Sequence, residues 1–373
     1  MFHSYLEVRS QFVLIGCSTF PGTLCTTGVP QGSVLGPILF SLFISSIAHI
    51  VSSYRLLQQQ YADDTQLHVA ISKDNYDTPV AKLELYLSTL HTWFCYNGLA
   101  LNPDKSEAIM FGTTQCSRSL PITSTVNVAG TLVQVFNQVR ILGVTLDSRL
   151  TFDAHISALS KSCFYHICAH CHICPNLTLD CSKNIACSLV GCHLDYANST
   201  LVGTSIKNIS RLQRLESTLA RVVTCQRGHI SISKTLQELH WLPIKWLINY
   251  KVATLTYKLL ESGEPMYLRS RITSKIFRRA LRSSADNRQL EPCSSHMKID
   301  HMPFVVLHQQ YGTACRTTLE LHRVSNFRSR LKTHYFKLAF QHLTLILNVR
   351  DINFFMRLWF NLTIDLLSGM CTI

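Results

Sequence analysis

The chain has 373 residues, 47% of them hydrophobic and only 15% charged; this excludes an extended disordered polymer and gives enough apolar material for two modest cores. Lysine and arginine total 35 against 22 aspartates and glutamates, a formal net charge of +13, which points to polyanionic partners such as nucleic acid. Fifteen cysteines, odd in number, follow a start (residues 1–11) with no apolar export run, so a disulfide-stapled secreted domain is not the expectation, and reduced thiols inside the cell, in nucleus or cytoplasm, are.

In chain order, residues 12–15 form a short apolar run ending at Gly16 and predict a buried strand followed by a turn. A glycine-rich loop over 28–37 leads into an uncharged stretch, 34–51, that is long enough for a membrane span. Gly36-Pro37 breaks it, and Ser41, Ser45, Ser46 and His49 punctuate the rest, so a buried helix after Pro37 is expected and no membrane partner. Between 60 and 71, apolar residues flank Asp63-Asp64 in a strand-turn-strand pattern with the carboxylates at the tip.

Residues 79–96 carry Leu83, Leu85, Leu87, Leu90 and Trp93 at helical spacing and end at Asn97-Gly98, a helix stop. The stretches 99–111 and 126–144 read as short strands. From about residue 152 the pattern is helical, with Leu212, Leu215, Leu219 and Val222 on one stripe and Arg211, Arg214 and Arg221 elsewhere on the wheel. Residues 270–282 are basic and 283–293 polar, which predicts a loop-rich junction. Beyond 335 an aromatic and aliphatic tail is interrupted by Arg350, Asp351, Arg357 and Asp365 before reaching span length. The expected divisions are 1–150, 151–269, 270–334 and 335–373.

The sharpest pattern is Tyr61-Ala62-Asp63-Asp64, one helix downstream of Gly28-Val29-Pro30-Gln31-Gly32-Ser33-Val34-Leu35-Gly36-Pro37. A lone Asp-Asp turn is ordinarily a solvated surface feature; the loop that precedes it makes the pair specific. With Asn97-Gly98-Leu99 and the run from Leu101 to Glu107, the order resembles reverse transcriptases of non-LTR, LINE-type retrotransposons of the jockey and CR1-like group. The resemblance continues through 142–147, 194–198 and 239–244 and fades near 334.

That resemblance implies an α+β fold: a partial polymerase palm, an antiparallel sheet with packed helices, over 1–150, then a mostly helical thumb-like extension over 151–269. It implies an RNA template and a DNA primer as partners, with no obligate protein partner. It makes Asp63 and Asp64 the catalytic and Mg2+-binding carboxylates, because two-ion phosphoryl transfer needs hard oxygen donors. Tyr61, Pro30, Gln31 and Gly32 would lie against template and nucleotide, and Lys105 near the departing pyrophosphate. Read alone, Ser33 is a helix cap and Lys105 a solvated lysine.

The family also carries an aspartate upstream of the glycine-rich loop, and the only acidic residue before Asp63 is Glu7. The expectation is therefore an N-terminally truncated, catalytically inactive, transposable-element-derived polymerase fragment with an open sheet edge and uncovered apolar surface. The alternative is a non-enzymatic basic nucleic-acid-binding protein.

Cys163, His166, Cys168, His170, Cys171, His172 and Cys174 crowd one segment. An iron-sulfur run fails because Thr178 stands where a fourth cysteine is needed. Zinc is not the expectation, because ligands spaced by three spiral around a helix and seldom close a tetrahedral site without a distant partner; a zinc-stabilised interaction module over 163–193 stands as a further alternative. The resemblance implies arginine at Cys168, Cys171, Cys174 and His193, which reads as decay of CG-containing codons.

Overall fold

The computed structural model describes residues 5–7, 9–26, 28–30, 32–54, 56–71, 77–112, 125–226, 231–269 and 324–340. The chain separates into two compact units, Met1–Lys105 with Val126–Leu132, and Ser106–Thr125 with Val133–Ile373. Small antiparallel ladders and packed helices make up both, so the fold is mixed α+β.

In the first unit, β1 (Arg9–Gln11) pairs antiparallel with β4 (Thr23–Cys25), and β2 (Leu14–Ile15) with β3 (Ser18–Thr19). The buried strand expected over 12–15 is not found: Phe12, Val13, Leu14 and Ile15 are 58–65% exposed. Apolar composition states what a strand can bury, but a two-stranded ribbon needs a second layer to bury it, and among the described residues none covers this one.

The uncharged stretch also folds differently from the single buried helix expected. It splits into α1 (Gly36–Ile44) and α2 (Ile47–Tyr54). Ser45 and Ser46 separate the two, and both turn their hydroxyls onto preceding carbonyls, Leu42 and Phe43, a local bond that competes with helix continuation. On α1 only Gly36 and Ile44 are buried, while Ile38, Leu42 and Phe43 stay exposed. No described helix is long and apolar enough to cross a membrane.

The hairpin follows as β5 (Leu57–Tyr61) and β6 (Asp64–His68), and then α3 (Asp77–Tyr96). Ile44, Ile47, Val51, Leu56, Tyr86, Leu90 and Phe94 form the core of this unit, with Leu67, Trp93 and Leu99 packed on it. The stop after α3 is a glycine cap. Gly98 takes φ 69°, its N–H donates to Cys95 O and that of Leu99 to Phe94 O at 2.8 Å, the paired bonds that satisfy orphan carbonyls at a helix end.

The strands after it are β7 (Ala108–Ile109), β8 (Thr125–Val128), β9 (Thr131–Phe136), β10 (Gln138–Ile141) and β11 (Val144–Asp147). In the second unit β7 runs parallel to the end of β9, Ala108 opposite Val135, and β10 pairs antiparallel with β11. The helices are α4 (Asp153–Ile173), α5 (Leu179–Ala186), a π-turn Cys187–Gly191, α6 (Cys192–Asp195), α7 (Ile206–Val223), α8 (Ile232–Glu238), α9 (Ile244–Ser262), α10 (Met266–Arg269) and α11 (Val324–Phe340). Val144, Leu146, Ile156, Ile167, Val190, Leu212 and Leu219 anchor its main core. Phe327, Leu331 and Tyr335 of α11 form a second cluster with Leu242 and Tyr257, whose ring stacks on Phe327 at 3.8 Å. The tail expectation beyond residue 340 and the basic segment 270–282 lie outside the described residues.

Candidate acidic hairpin site

The ladder of β5 and β6 runs from Leu57 opposite His68 to Tyr61 opposite Asp64. Ala62 and Asp63 are therefore the turn itself, and Asp64 is the first residue of the returning strand. Ala62 makes the reversal with φ 51°, a left-handed conformation that costs a residue with a Cβ about 1 kcal/mol. Both carboxylates are exposed at the tip, as expected from the pattern, while Tyr61 is half-buried. The Asp64 carboxyl is held above the usual carboxylate range, first by partial burial and then by the charge of Asp63.

In the glycine-rich loop, Pro30 O accepts the N–H of Ser33, and Gly32 takes φ 79°, open to glycine because it has no Cβ. Ser33 Oγ accepts the Gly36 N–H at 3.2 Å and is hydrogen-bonded to Tyr5 Oη. Ser33 thus caps the first helical N–H from two positions before Leu35, which occupies the cap position without a side-chain bond. Gln31 lies outside the described residues. Lys105 closes the short 3-10 turn Pro103–Lys105 with its side chain exposed. Its N–H donates to Asn102 O, while Asn102 Oδ1 accepts from Asp104 N.

Asp63 and Asp64 offer the hard oxygen donors that a magnesium ion takes. Among the described residues, no group of three or more His, Cys, Asp or Glu side chains could hold a metal ion, so no third ligand joins the pair. Glu7 is exposed and is not part of such a group. The pair fits magnesium in kind but not in the number of ligands that a two-ion centre uses. In the cysteine and histidine segment of α4 and the turn after it, Cys163, His170 and Cys174 are buried and Cys168, Cys171 and His172 exposed, and among the described residues they form no group that could hold a metal ion. Arginine could stand at the exposed positions 168 and 171. Cys174 is 3% exposed, and a guanidinium there would displace the core.

The later motifs knit the second unit rather than line a site. Asp147 accepts from the N–H groups of Arg149, Thr151 and Phe152 and from the Thr151 hydroxyl, holding the turn into α4. Tyr196 Oη donates to Leu142 O at 2.6 Å. Its ring lies 3.5 Å from where a Cβ on Gly143 would sit, and Gly143 has φ 81°. Asp195 pairs with Lys251 Nζ at 2.7 Å and accepts from Asn198 Nδ2.

Sequence reasoning missed Glu216. It is 5% exposed on α7 and accepts from Gln213 Nε2 at 2.8 Å, while Gln213 Oε1 accepts the Ile244 N–H at 2.9 Å. Burial pushes its carboxyl up to about 8, opposed by the Gln213 and Ile244 hydrogen bonds. The signal was present: residue 216 falls four after Leu212 and three before Leu219, on the apolar stripe itself.

Comparison with known proteins places these motifs in context. Residues 2–146 match the family described as reverse transcriptase (RNA-dependent DNA polymerase). The chain is 34% identical over 166 residues to a probable RNA-directed DNA polymerase from transposon BS of Drosophila melanogaster, covering 43% of this chain and 18% of that protein. It is 30% identical over 166 residues to the RNA-directed DNA polymerase from mobile element jockey of the same fly, covering 43% of this chain and 17% of that protein. A probable polymerase from transposon X-element is 26% identical over 226 residues, 59% of this chain and 24% of the relative. The chain thus matches less than a quarter of the length of any of these three proteins. No solved structure matches it.

Proposed function

Residues 2–146 belong to the reverse transcriptase family, in its non-LTR retrotransposon branch, and from that premise we propose that the chain is the acidic-hairpin segment of an RNA-directed DNA polymerase that does not polymerise by itself. The observation that carries this reading is the Tyr61–Asp64 register, which presents two adjacent carboxylates at one tip without a third among the described residues.

Asp63 and Asp64 would be the residues that hold magnesium, which when bound supplies Lewis-acid stabilisation of phosphoryl transfer. Two adjacent carboxylates leave its spacing and coordination unset, so binding is weak and turnover fails. By the resemblance, Tyr61, Pro30, Gln31 and Gly32 would contact template and nucleotide, and Lys105 would supply a cation for a phosphate. Residues 151–269 serve as a thumb-like helical support, and an RNA template with a DNA primer is the partner. Primer extension on an RNA template with Mg2+ tests the proposal on the full chain. No product is expected, and template-dependent DNA synthesis would refute it.

A second reading, a basic nucleic-acid-binding protein without chemistry, is favoured by α7. Lys207, Arg214 and Arg221 are exposed there, away from the buried Leu212, Leu215 and Leu219. Binding carried by these groups weakens steeply with salt. Affinity for single-stranded RNA that stays level between low and moderate salt would end this reading.

A further inference from the structure

The ends of α4 and α7 bring two cysteines together that are 51 positions apart. Cys174 Sγ lies 3.5 Å from Cys225 Sγ. The inner sulfur is built into the core: the Cys174 side chain is 3% exposed, its thiol donates to Val222 O at 3.0 Å, and Ser182 Oγ lies 3.2 Å away. Ser182 in turn bonds His170 Nε2 at 2.9 Å, with both side chains 1% exposed. The outer sulfur is the reverse. Cys225 is exposed, just past the end of α7, on a left-handed residue with φ 50°.

We propose that Cys174 and Cys225 are a redox pair that closes into a disulfide by exchange with a small-molecule disulfide of the glutathione class. A disulfide needs its sulfurs about 2.05 Å apart, so they must approach by about 1.5 Å, with the exposed Cys225 as the side chain that moves. The order of events follows from access. The Cys225 thiolate attacks the small disulfide, forming a mixed disulfide and releasing one thiolate. Cys174 sulfur then attacks Cys225 Sγ, the second small thiolate leaves, and the protons of the two cysteines end on the two small thiols. The protein pair is oxidised by two electrons and the small disulfide is reduced by two.

The core polar chain accommodates the product. Once oxidised, Cys174 has no S–H and can only accept, so the Ser182 hydroxyl turns to donate to it and His170 Nε2–H donates to Ser182 Oγ. One arrangement of protons then satisfies the three groups, and the tautomer of His170 is set by the redox state of its neighbour. The bridge ties together two helices that share the main core of the second unit.

The test incubates the full chain with glutathione disulfide, blocks remaining thiols with iodoacetamide and maps the peptides by mass spectrometry. A peptide linking 174 to 225 is expected in most molecules. Cys225→Ser should abolish it and leave Cys174 alkylated only on unfolding, whereas Cys171→Ser, on an exposed neighbouring turn, should leave its yield unchanged. Glutathione that stays on Cys225 without resolving, or Cys174 bridged to a different cysteine, would overturn the proposal. So would equal alkylation of both residues after oxidation.

Discussion

Replacing Glu216 by glutamine should remove the component that lowers the stability of the second unit as pH rises from 5 to 8, opposite in sign to that of His155, which burial and then the Arg140 charge push down to about 4. The carboxyl sits at about 8 when folded against an ordinary 4.5. In that interval the folded state carries a proton that the unfolded state has lost, so stability is full below 4.5 and is lost as pH rises toward 8. The separation of 3.5 (8 − 4.5), at 1.36 kcal/mol for each unit, sets a ceiling of about 5 kcal/mol, of which on the order of 3 kcal/mol falls between pH 5 and 8. Glutamine keeps the shape and the Gln213 contact and carries no charge at any of these values. Urea unfolding at a series of pH values, with amide exchange of α7 as a local readout, compares the two proteins. The curves should meet near pH 5 and diverge steadily above it, the variant being the more stable. Parallel curves would show that Glu216 is ionised in the folded chain and that its burial does not govern its titration.

Three other substitutions probe the same framework. Gly143→Ala places a Cβ on a φ of 81° and should cost about 1 kcal/mol or more, read as a lowered thermal midpoint. Asp147→Ala removes the acceptor of three N–H groups and one hydroxyl; a loss of about 2–3 kcal/mol is expected by denaturant titration, and an unchanged midpoint would mean that water replaces the carboxylate at no cost. Asp63→Asn deletes the neighbouring charge that helps raise the Asp64 carboxyl. An NMR titration of that carboxyl should therefore move down toward the usual range, and no movement would leave burial as the sole cause.

The hairpin and the helix after it were legible because their signals are local. Alternation around Asp63-Asp64 fixes a ladder, and Asn97-Gly98 stops α3 through backbone bonds that involve no distant residue. Burial was not legible. Residues 12–15 and the uncharged stretch 34–51 are equally apolar whether or not another layer covers them, and the folded chain leaves much of both in water. Asp147 and Asp195 sit in stretches through which the resemblance continues, yet one holds a turn through residues two to five positions on and the other pairs with a lysine 56 positions away, a partner that no local pattern announces. Glu216 could have been found by projecting α7 on a wheel and asking which charge fell among the leucines.

One small feature of the hairpin reaches further than its size. The left-handed backbone at Ala62 means that whichever residue stands between the tyrosine and the acidic pair governs how tightly the chain reverses. Exchange for glycine relaxes the bend, and exchange for valine stiffens it against the same demand. Position 62 is therefore a dial on the aim of the two oxygen-bearing side chains that follow it, and it can be turned without altering either of them.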